Sequence, residues 1–310
     1  VTFSFDAVMC HSREVSTAPQ EFAFDVVVVG SANLDLVATL DHLPRPGETI
    51  VALGYAEHAG GKGVNQAVAC ARMGARTAFV GCVGNDDAGV FLRGVLENEG
   101  IDTTMLRVVD MPTGRAFINV DAHGENEIVV ISGANTQVGV AHNSLVLPTA
   151  HVLLMQLEIP LTTVLGALNA ARTNGSTTVL NPAPYKTLTP EILSLVDVIV
   201  PNETESDACG GTQALLGAGV ATVVTTLGEK GAVINTPTSE TSIAPHKVVA
   251  VDTVGAGDAF IGALSAELAR GQSINDAASV GAVAGALATT VRGAVPSLPT
   301  RDVIRKAMAK

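Results

Sequence analysis

At 310 residues the chain has room for one large α/β domain, or for a domain with a small accessory unit, at about 150 residues per domain. Hydrophobic residues at 47% and charged residues at 15% exclude a disordered chain, and a net charge of −12 without any basic patch argues against nucleic acid as a partner. Aromatic residues at 3%, with no Trp, supply no stacking platform for single strands.

Cys10, Cys70, Cys82 and Cys209 show no C-x-x-C spacing and read as free thiols of a reducing compartment, so a cytoplasmic location is expected. The seven histidines form no H-E-x-x-H and no close pair, which gives no support to an imidazole metal cage. No apolar run approaches the roughly 20 residues that span a bilayer, and a soluble protein with no membrane partner is expected.

Residues 1–24 carry Arg13, Glu14, Pro19 and Glu21 with no apolar segment, and are expected to be a disordered or loosely docked extension ahead of a domain spanning 25–310. Asp25 to Gly30 (DVVVVG) is a continuous β-branched run, the pattern of a strand buried on both faces of a parallel sheet. In Ser31-Ala-Asn33-Leu-Asp35 strand spacing puts Asn33 and Asp35 on one side. An amide and a carboxylate so spaced suit either a grip on vicinal hydroxyls or an Asx-turn. Residues 33–58 and 103–132 hold strand-like stretches with turn signals at Pro44, Pro46, Gly47, Pro112, Gly114 and Gly124, and are expected to form a small antiparallel β lid outside the main sheet.

Gly61-Lys62-Gly63-Val64-Asn65 opens a helix on which Lys62 and Asn65 share a face, open to polyol binding or to capping and solvation. Val64, Ala67, Val68 and Ala71 make the stripe of a helix that ends at Gly74. Short apolar runs at Thr77–Gly81, His151–Gln156, Thr177–Leu180, Asp197–Val200 and Ala221–Thr226 predict further strands separated by helix-length segments. The alternation predicts an open, mostly parallel twisted sheet flanked by helices on both faces.

Pro201-Asn-Glu-Thr-Glu205 reads either as a capping box between Asn202 and Glu205 or as an oxygen-rich site for Mg²⁺, which keeps most of its waters. Thr226-Leu-Gly228-Glu-Lys-Gly231 ends another strand and suits wrapping of phosphates or an adenine ribose, or a plain turn. A strand is expected at Val248–Val251. After it, Asp252-Thr-Val-Gly-Ala-Gly-Asp258 opens a helix, and Gly255 and Gly257 let main-chain N–H groups converge into an anion cradle. Asp258 either complements the helix dipole, worth about 0.3–1 kcal/mol, or accepts a hydroxyl proton while the cradle holds a transferring phosphoryl group. The helix through Phe260, Ala263, Leu264, Glu267 and Leu268 ends at Arg270 and Gly271. A second helix, Ser273–Thr290, is rich in Ala and Gly, for tight packing or for close approach of a nucleotide. Gly60-Gly61-Lys62-Gly63 lacks the Ser or Thr of a Walker motif, and neither G-x-G-x-x-G after a strand nor G-x-S-x-G occurs.

The blocks SANLD, GGKGVNQA, MQLE (155–158), NPAP (181–184), PNETE, TLGEKG, DTVGAGD and VPSLP, in this order from about residue 25 to 300, resemble the ribokinase family of sugar kinases. The resemblance implies a phosphotransferase whose lid closes over the sugar and which dimerises through its lids. It implies Asp258 as base and the amides of Gly255, Ala256 and Gly257 as anion hole. It assigns the sugar to Asn33, Asp35, Gly61, Lys62, Asn65, Glu158 and Asp258. Asn202, Thr226, Gly228, Gly231 and Gly257 would contact ATP, and Glu205 would orient the hydrated Mg²⁺. A K⁺ site built largely from backbone oxygens would use Asp252, Val254, Ala288, Gly293 and Ser297.

Lys62 and MQLE favour unphosphorylated ribose, and two Tyr and eight Phe in the whole chain disfavour a nucleoside slot. The expectation is ATP-dependent phosphorylation of D-ribose at O5 by a homodimer. Its alternatives are a kinase of another sugar, a sugar phosphate or deoxyribose, a sugar-binding regulator without turnover, and an α/β oxidoreductase. Two departures from the family pattern stand out. The interval from PNETE to TLGEKG is only about twenty residues, so its helix and strand are expected to be trimmed. Arg115 neighbours Ala116, and alternation points it away from the sugar if Ala116 faces in; a slipped register would bring it to a sugar phosphate.

Overall fold

In the computed structural model, residues 22–139 and 147–309 are described; Cys10 and the expected extension up to residue 21 lie outside them. The chain enters through β1 (Phe24–Val29), leaves as β2 (Asn33–Thr39) and β3 (Gly54–Gly60), and returns by α1 (Lys62–Arg72), β4 (Thr77–Gly84), α2 (Asp87–Asn98) and β5 (Leu106–Val109). A second excursion, β6 (Gly114–Val120) and β7 (Asn126–Ile131), precedes β8 (Ala150–Met155), α3 (Leu161–Thr173), β9 (Thr177–Leu180), α4 (Pro190–Leu193) and β10 (Val198–Ile199). Then come α5 (Glu203–Ala208), α6 (Thr212–Gly217), β11 (Thr222–Thr226), β12 (Ala232–Asn235) and β13 (Glu240–Ile243). The last elements are α7 (Ala256–Ala269), α8 (Ile274–Ala288), α9 (Ala294–Ser297) and α10 (Arg301–Met308).

Nine strands form the main sheet in the order β13-β12-β11-β10-β9-β8-β1-β4-β5, parallel from β11 to β5. The β12 and β13 pairs at one edge are antiparallel. Val26 to Val29 are fully buried, and their side chains alternate between two cores. Val26 and Val28 meet Val64, Val68 and Leu264 under α1 and α7, whereas Val27 and Val29 meet Leu153, Leu168 and Ile199 on the α3 side. A run apolar at every position is what such two-sided burial requires. The small residues of α7 and α8 serve helix packing: a Cβ at Gly262 would strike Ala69, and one at Gly281 would sit 2.9 Å from the Phe260 carbonyl oxygen.

The smaller sheet, β3-β2-β6-β7, stands off this layer. Its outer pairs are antiparallel, as expected, but β2 and β6 run parallel. Between them the chain has passed through α1, β4, α2 and β5, a crossover long enough to re-enter in the same direction. In this register Ala116 lies opposite Asp35 and is buried, while Arg115 lies opposite Leu34 on the other face. The slipped register that would turn Arg115 toward Asp35 is therefore not adopted.

Two expectations are corrected. The stretch 103–132 is not all lid, because β5 pairs in parallel with β4 and closes the edge of the main sheet. Val248–Val251 is not a strand: Val249 is 86% exposed, and the Val251 and Asp252 N–H groups both donate to the Thr289 carbonyl oxygen at the end of α8 rather than to a ladder. The short interval after Glu205 holds both elements, with α5 and α6 of six residues each before β11.

Candidate active site

From β8 through β1 to β4 the strand order reverses direction in sequence, and a crevice at such a point opens at the carboxyl ends of the strands. A cleft of about 230 Å³ opens at the carboxyl ends of the neighbouring strands, lined by Lys62, Asn181, Val200, Asn202, Glu205, Thr226, Thr253, Gly255, Gly257 and Asp258. Asn181, Val200 with Asn202, and Thr226 follow or end the successive strands β9, β10 and β11. Lys62 opens α1, and Gly255 to Asp258 open α7, so two helix N-termini converge on one cavity.

No side chain caps α7. Its cap residue Gly255 takes φ 78°, a left-handed conformation, and a Cβ there would lie 3.0 Å from Ala294 Cα. Gly257 meets open space at its Cβ position. The N–H of Ala256 is turned into a bond with the Thr253 carbonyl oxygen at 3.3 Å, and Ala256 does not line the cleft, unlike the glycines that flank it. Amides at such a terminus, with the dipole behind them, attract an anion.

Asp258, in the first turn of α7, is buried and gripped on both oxygens: Asn65 Nδ2 donates to Oδ2 at 2.9 Å and Gln66 Nε2 to Oδ1 at 2.9 Å. Glu158 does not line the cleft; its Oε2 accepts from the Ser31 hydroxyl at 2.5 Å and from the Lys62 N–H at 3.1 Å, tying the β1–β2 turn to the start of α1. Asp35 packs on Gly60, where any Cβ would strike its carboxylate. Burial, then the charges of Glu158 and Asp258, push the Asp35 carboxyl up to about 7. Burial works against the charge of Lys62, but the carboxylates of Asp258, Glu158 and Glu205 more than offset it and hold the ammonium above its ordinary range. A half-buried cation thus sits among carboxylates, beside open main-chain donors.

Asn33 is buried, its Oδ1 accepting from Asn135 Nδ2 at 2.7 Å. Gly61 caps α1 at φ 84°. Asn202 and Glu205 form a capping box on α5: Asn202 Oδ1 accepts from Glu205 N at 2.8 Å and Glu205 Oε2 from Asn202 N at 2.9 Å, and both residues still line the cleft. Gly228 and Gly231 do not reach it. They shape the turn from β11 to β12, and Gly231 is held against the Ile243 carbonyl. Asp252 bridges two loops, Oδ1 accepting from Val254 N at 3.0 Å and Oδ2 from Gly293 N at 2.8 Å. Ala288 and Ser297 are buried beside them. Asn181, Thr253, Gln66 and Gln156 were missed as site residues, although each stands in or directly before a block singled out by pattern: NPAP, DTVGAGD, GGKGVNQA and MQLE.

The signature of the pfkB family carbohydrate kinases matches residues 23–301. The chain is 40% identical over 293 residues to the ribokinase of Haemophilus influenzae, covering 89% of this chain and 96% of that protein. Among solved structures, the ribokinase of Thermotoga maritima superposes with a TM-score of 0.84 at 35% identity, covering 92% of this chain and 99% of its own. Arabidopsis thaliana ribokinase complexed with ribose and ATP gives 0.82 at 31% identity, covering 93% and 100%.

Proposed function

The chain belongs to the pfkB family of carbohydrate kinases, and on that premise we propose that it transfers the γ-phosphoryl group of ATP to O5 of D-ribose. The observation that carries this reading is the cleft itself, in which a buried carboxylate, Asp258, stands one turn from the open amides of Gly255 and Gly257. Asp258 accepts the proton of the primary hydroxyl as the bond to phosphorus forms. The amides at the start of α7 take the charge that spreads over the phosphoryl oxygens, a role in which fixed donors outperform water because they need no reorganisation.

Asn33, Asp35, Gly61, Lys62, Asn65 and Glu158 surround the sugar, with Lys62 countering the carboxylates. Asn65 Oδ1 is buried and without a partner among the described residues, an acceptor left for a sugar hydroxyl. Asn202 and Thr226, with the Gly228–Gly231 turn beyond them, receive the nucleotide. Hydrogen-bond donors and acceptors placed for a polyol explain why the site is built of amides and carboxylates rather than aromatic rings.

Two ions fit these residues. Among the described residues no group of three or more His, Cys, Asp and Glu gathers into a metal cage. The nucleotide side of the cleft instead presents Glu205, which suits Mg²⁺ that retains its waters and neutralises phosphate charge. Around Asp252 each side-chain oxygen accepts one main-chain N–H, from Val254 and from Gly293, and main-chain oxygens of Asp252, Val254, Ala288, Gly293 and Ser297 make up most of the proposed donor set. Neutral oxygens of that kind suit K⁺, which would steady the two loops that flank the α7 terminus.

We also assign a homodimer joined through the lids and a cytoplasmic location. The dimer is supported by the apolar residues that β7 exposes, Ile128 to Ile131, each about half accessible. The location is supported by the free thiols of Cys70, Cys82 and Cys209; no helix among the described residues is long and apolar enough to cross a membrane. Coupled ADP release over ribose, deoxyribose, fructose, fructose 1-phosphate and adenosine, in K⁺ and in Na⁺, tests the activity. Ribose is expected to be the best substrate and K⁺ the better ion. No ADP with any sugar would refute the kinase, and sedimentation showing only monomer at micromolar concentration would refute the dimer.

A further inference from the structure

Behind Asp258, on the side away from the cleft, two glutamines are fully buried. Gln66, on α1, donates from Nε2 to Asp258 Oδ1 at 2.9 Å and to Asn181 Oδ1 at 3.2 Å. Its Oε1 accepts from Gln156 Nε2 at 2.6 Å, and Gln156 directly follows β8. Gln156 Oε1 is itself buried without a partner among the described residues, pressed against Gly30, where a Cβ would strike it.

A primary amide has nearly the same shape either way round, and only its hydrogen bonds decide which end faces a neighbour. For Gln66 the direction is set from one side. Asn181, whose Nδ2 is committed to the Val200 carbonyl at 3.0 Å, presents an acceptor, which only Nε2 can satisfy. The N–H group aimed at Asp258 is therefore dictated by Asn181, which has no bond to Asp258, and Gln156 holds the Oε1 end. A reversed amide would set a carbonyl oxygen against a carboxylate.

Such an arrangement is costly as pure stabilisation, since buried amides gain little over apolar residues of the same shape and the orphaned Gln156 oxygen is a net loss. We propose that Gln66 is a positioning residue for Asp258, and that Gln156 acts through it by holding the far end of its amide. The proposal rests on Asp258 being the base. The hydrogen bond from Gln66 holds the carboxylate in one rotamer, so that the proton acceptor is in place before the sugar arrives. The charged groups that interact with Asp258 are Lys62 of α1 and Asp35 of β2; Glu158 and Glu205 face Lys62 in turn, and all four remain in the variants below.

Gln66→Met and Gln156→Met remove the polar ends at nearly constant volume. The readout is kcat against pH at saturating ribose and ATP, where the ionisation of free Asp35 does not intrude, with KM for ribose measured alongside. Gln66→Met is expected to lower kcat by about 10–100-fold across the profile and to change KM less than ~3-fold. Gln156→Met is expected to do the same more weakly, and the double variant to match Gln66→Met alone, because Gln156 acts through Gln66. If Gln66→Met does not fold, the pH profile of Gln156→Met carries the test. Asp258→Asn is run in the same assay. Full turnover by that variant would overturn the base; an inactive Asp258→Asn with a glutamine-variant profile that overlays the parent's would overturn the positioning role alone.

Discussion

Replacing Asp35 with asparagine removes a charge that the folded protein holds at a cost. The Asp35 carboxyl is pushed from 3.8 to about 7, first by burial and then by the neighbouring Glu158 and Asp258. That displacement corresponds to at most about 4 kcal/mol, at ~1.4 kcal/mol for each tenfold change in proton affinity. Between pH 4 and 7 the native protein keeps a proton at this position that the unfolded chain has released, so stability falls as pH rises across that window. Asparagine has the same shape and never ionises. Guanidinium unfolding of the two proteins should give nearly equal stability at pH 4 and a gap of about 1–4 kcal/mol in favour of Asp35→Asn at pH 8. Saturating ribose should narrow the gap, because sugar hydroxyls solvate the carboxylate, and ribose binding at pH 6 should release protons, seen as binding enthalpies that differ between buffers. A stability difference that stays flat from pH 4 to pH 8 would refute the reasoning, since it would mean that Asp35 is ionised throughout.

Asp258→Asn should lower kcat by at least ~10²-fold, with ribose affinity by calorimetry changed little, as removal of a general base does. Gly60→Ala sets a methyl group against the Asp35 carboxylate and should raise KM for ribose by ~10-fold or more while leaving KM for ATP within ~2-fold in the coupled assay. Gly257→Ala meets no atom of the protein and replaces a poor helix former, so thermal unfolding should be unchanged or higher by up to about 1 kcal/mol. Activity should nevertheless fall by ~10²-fold, because the methyl group occupies the space of the phosphoryl oxygens. If both Tm and kcat are unaffected, the α7 terminus is not the anion site.

What could be read along the chain were features whose cause is local. Four consecutive valines at 26–29 tolerate only a strand covered on both faces, and glycines at 255 and 257 before an apolar helix announce an open N-terminus. Gln66 and Gln156 stand inside GGKGVNQA and MQLE, yet neither is marked within its block: each reads as an ordinary polar residue until α7 brings Asp258 to Gln66 and β8 brings Gln156 behind it. Strand β5 was assigned to the lid because Leu106–Val109 looks the same in either sheet; the available edge of β4 decides. Val248–Val251 failed for the opposite reason, since strand composition without a free partner leaves the backbone to find other acceptors.

These cases bear on how an acidic protein manages a polyphosphate. Lys62 is the one cation among the residues that line the cleft, and it is already engaged with three carboxylates. Side-chain charge therefore cannot be the main hold on the nucleotide. What remains is geometry: unspent N–H groups of Gly255 and Gly257 and a dipole behind them, with the cation ligands proposed at Glu205 and around Asp252. That geometry also explains why Gly255 has no latitude. Its left-handed φ aims the amides, and its close approach to Ala294 joins that aim to the loop held by Asp252, so that loop and the anion cradle are set by one backbone.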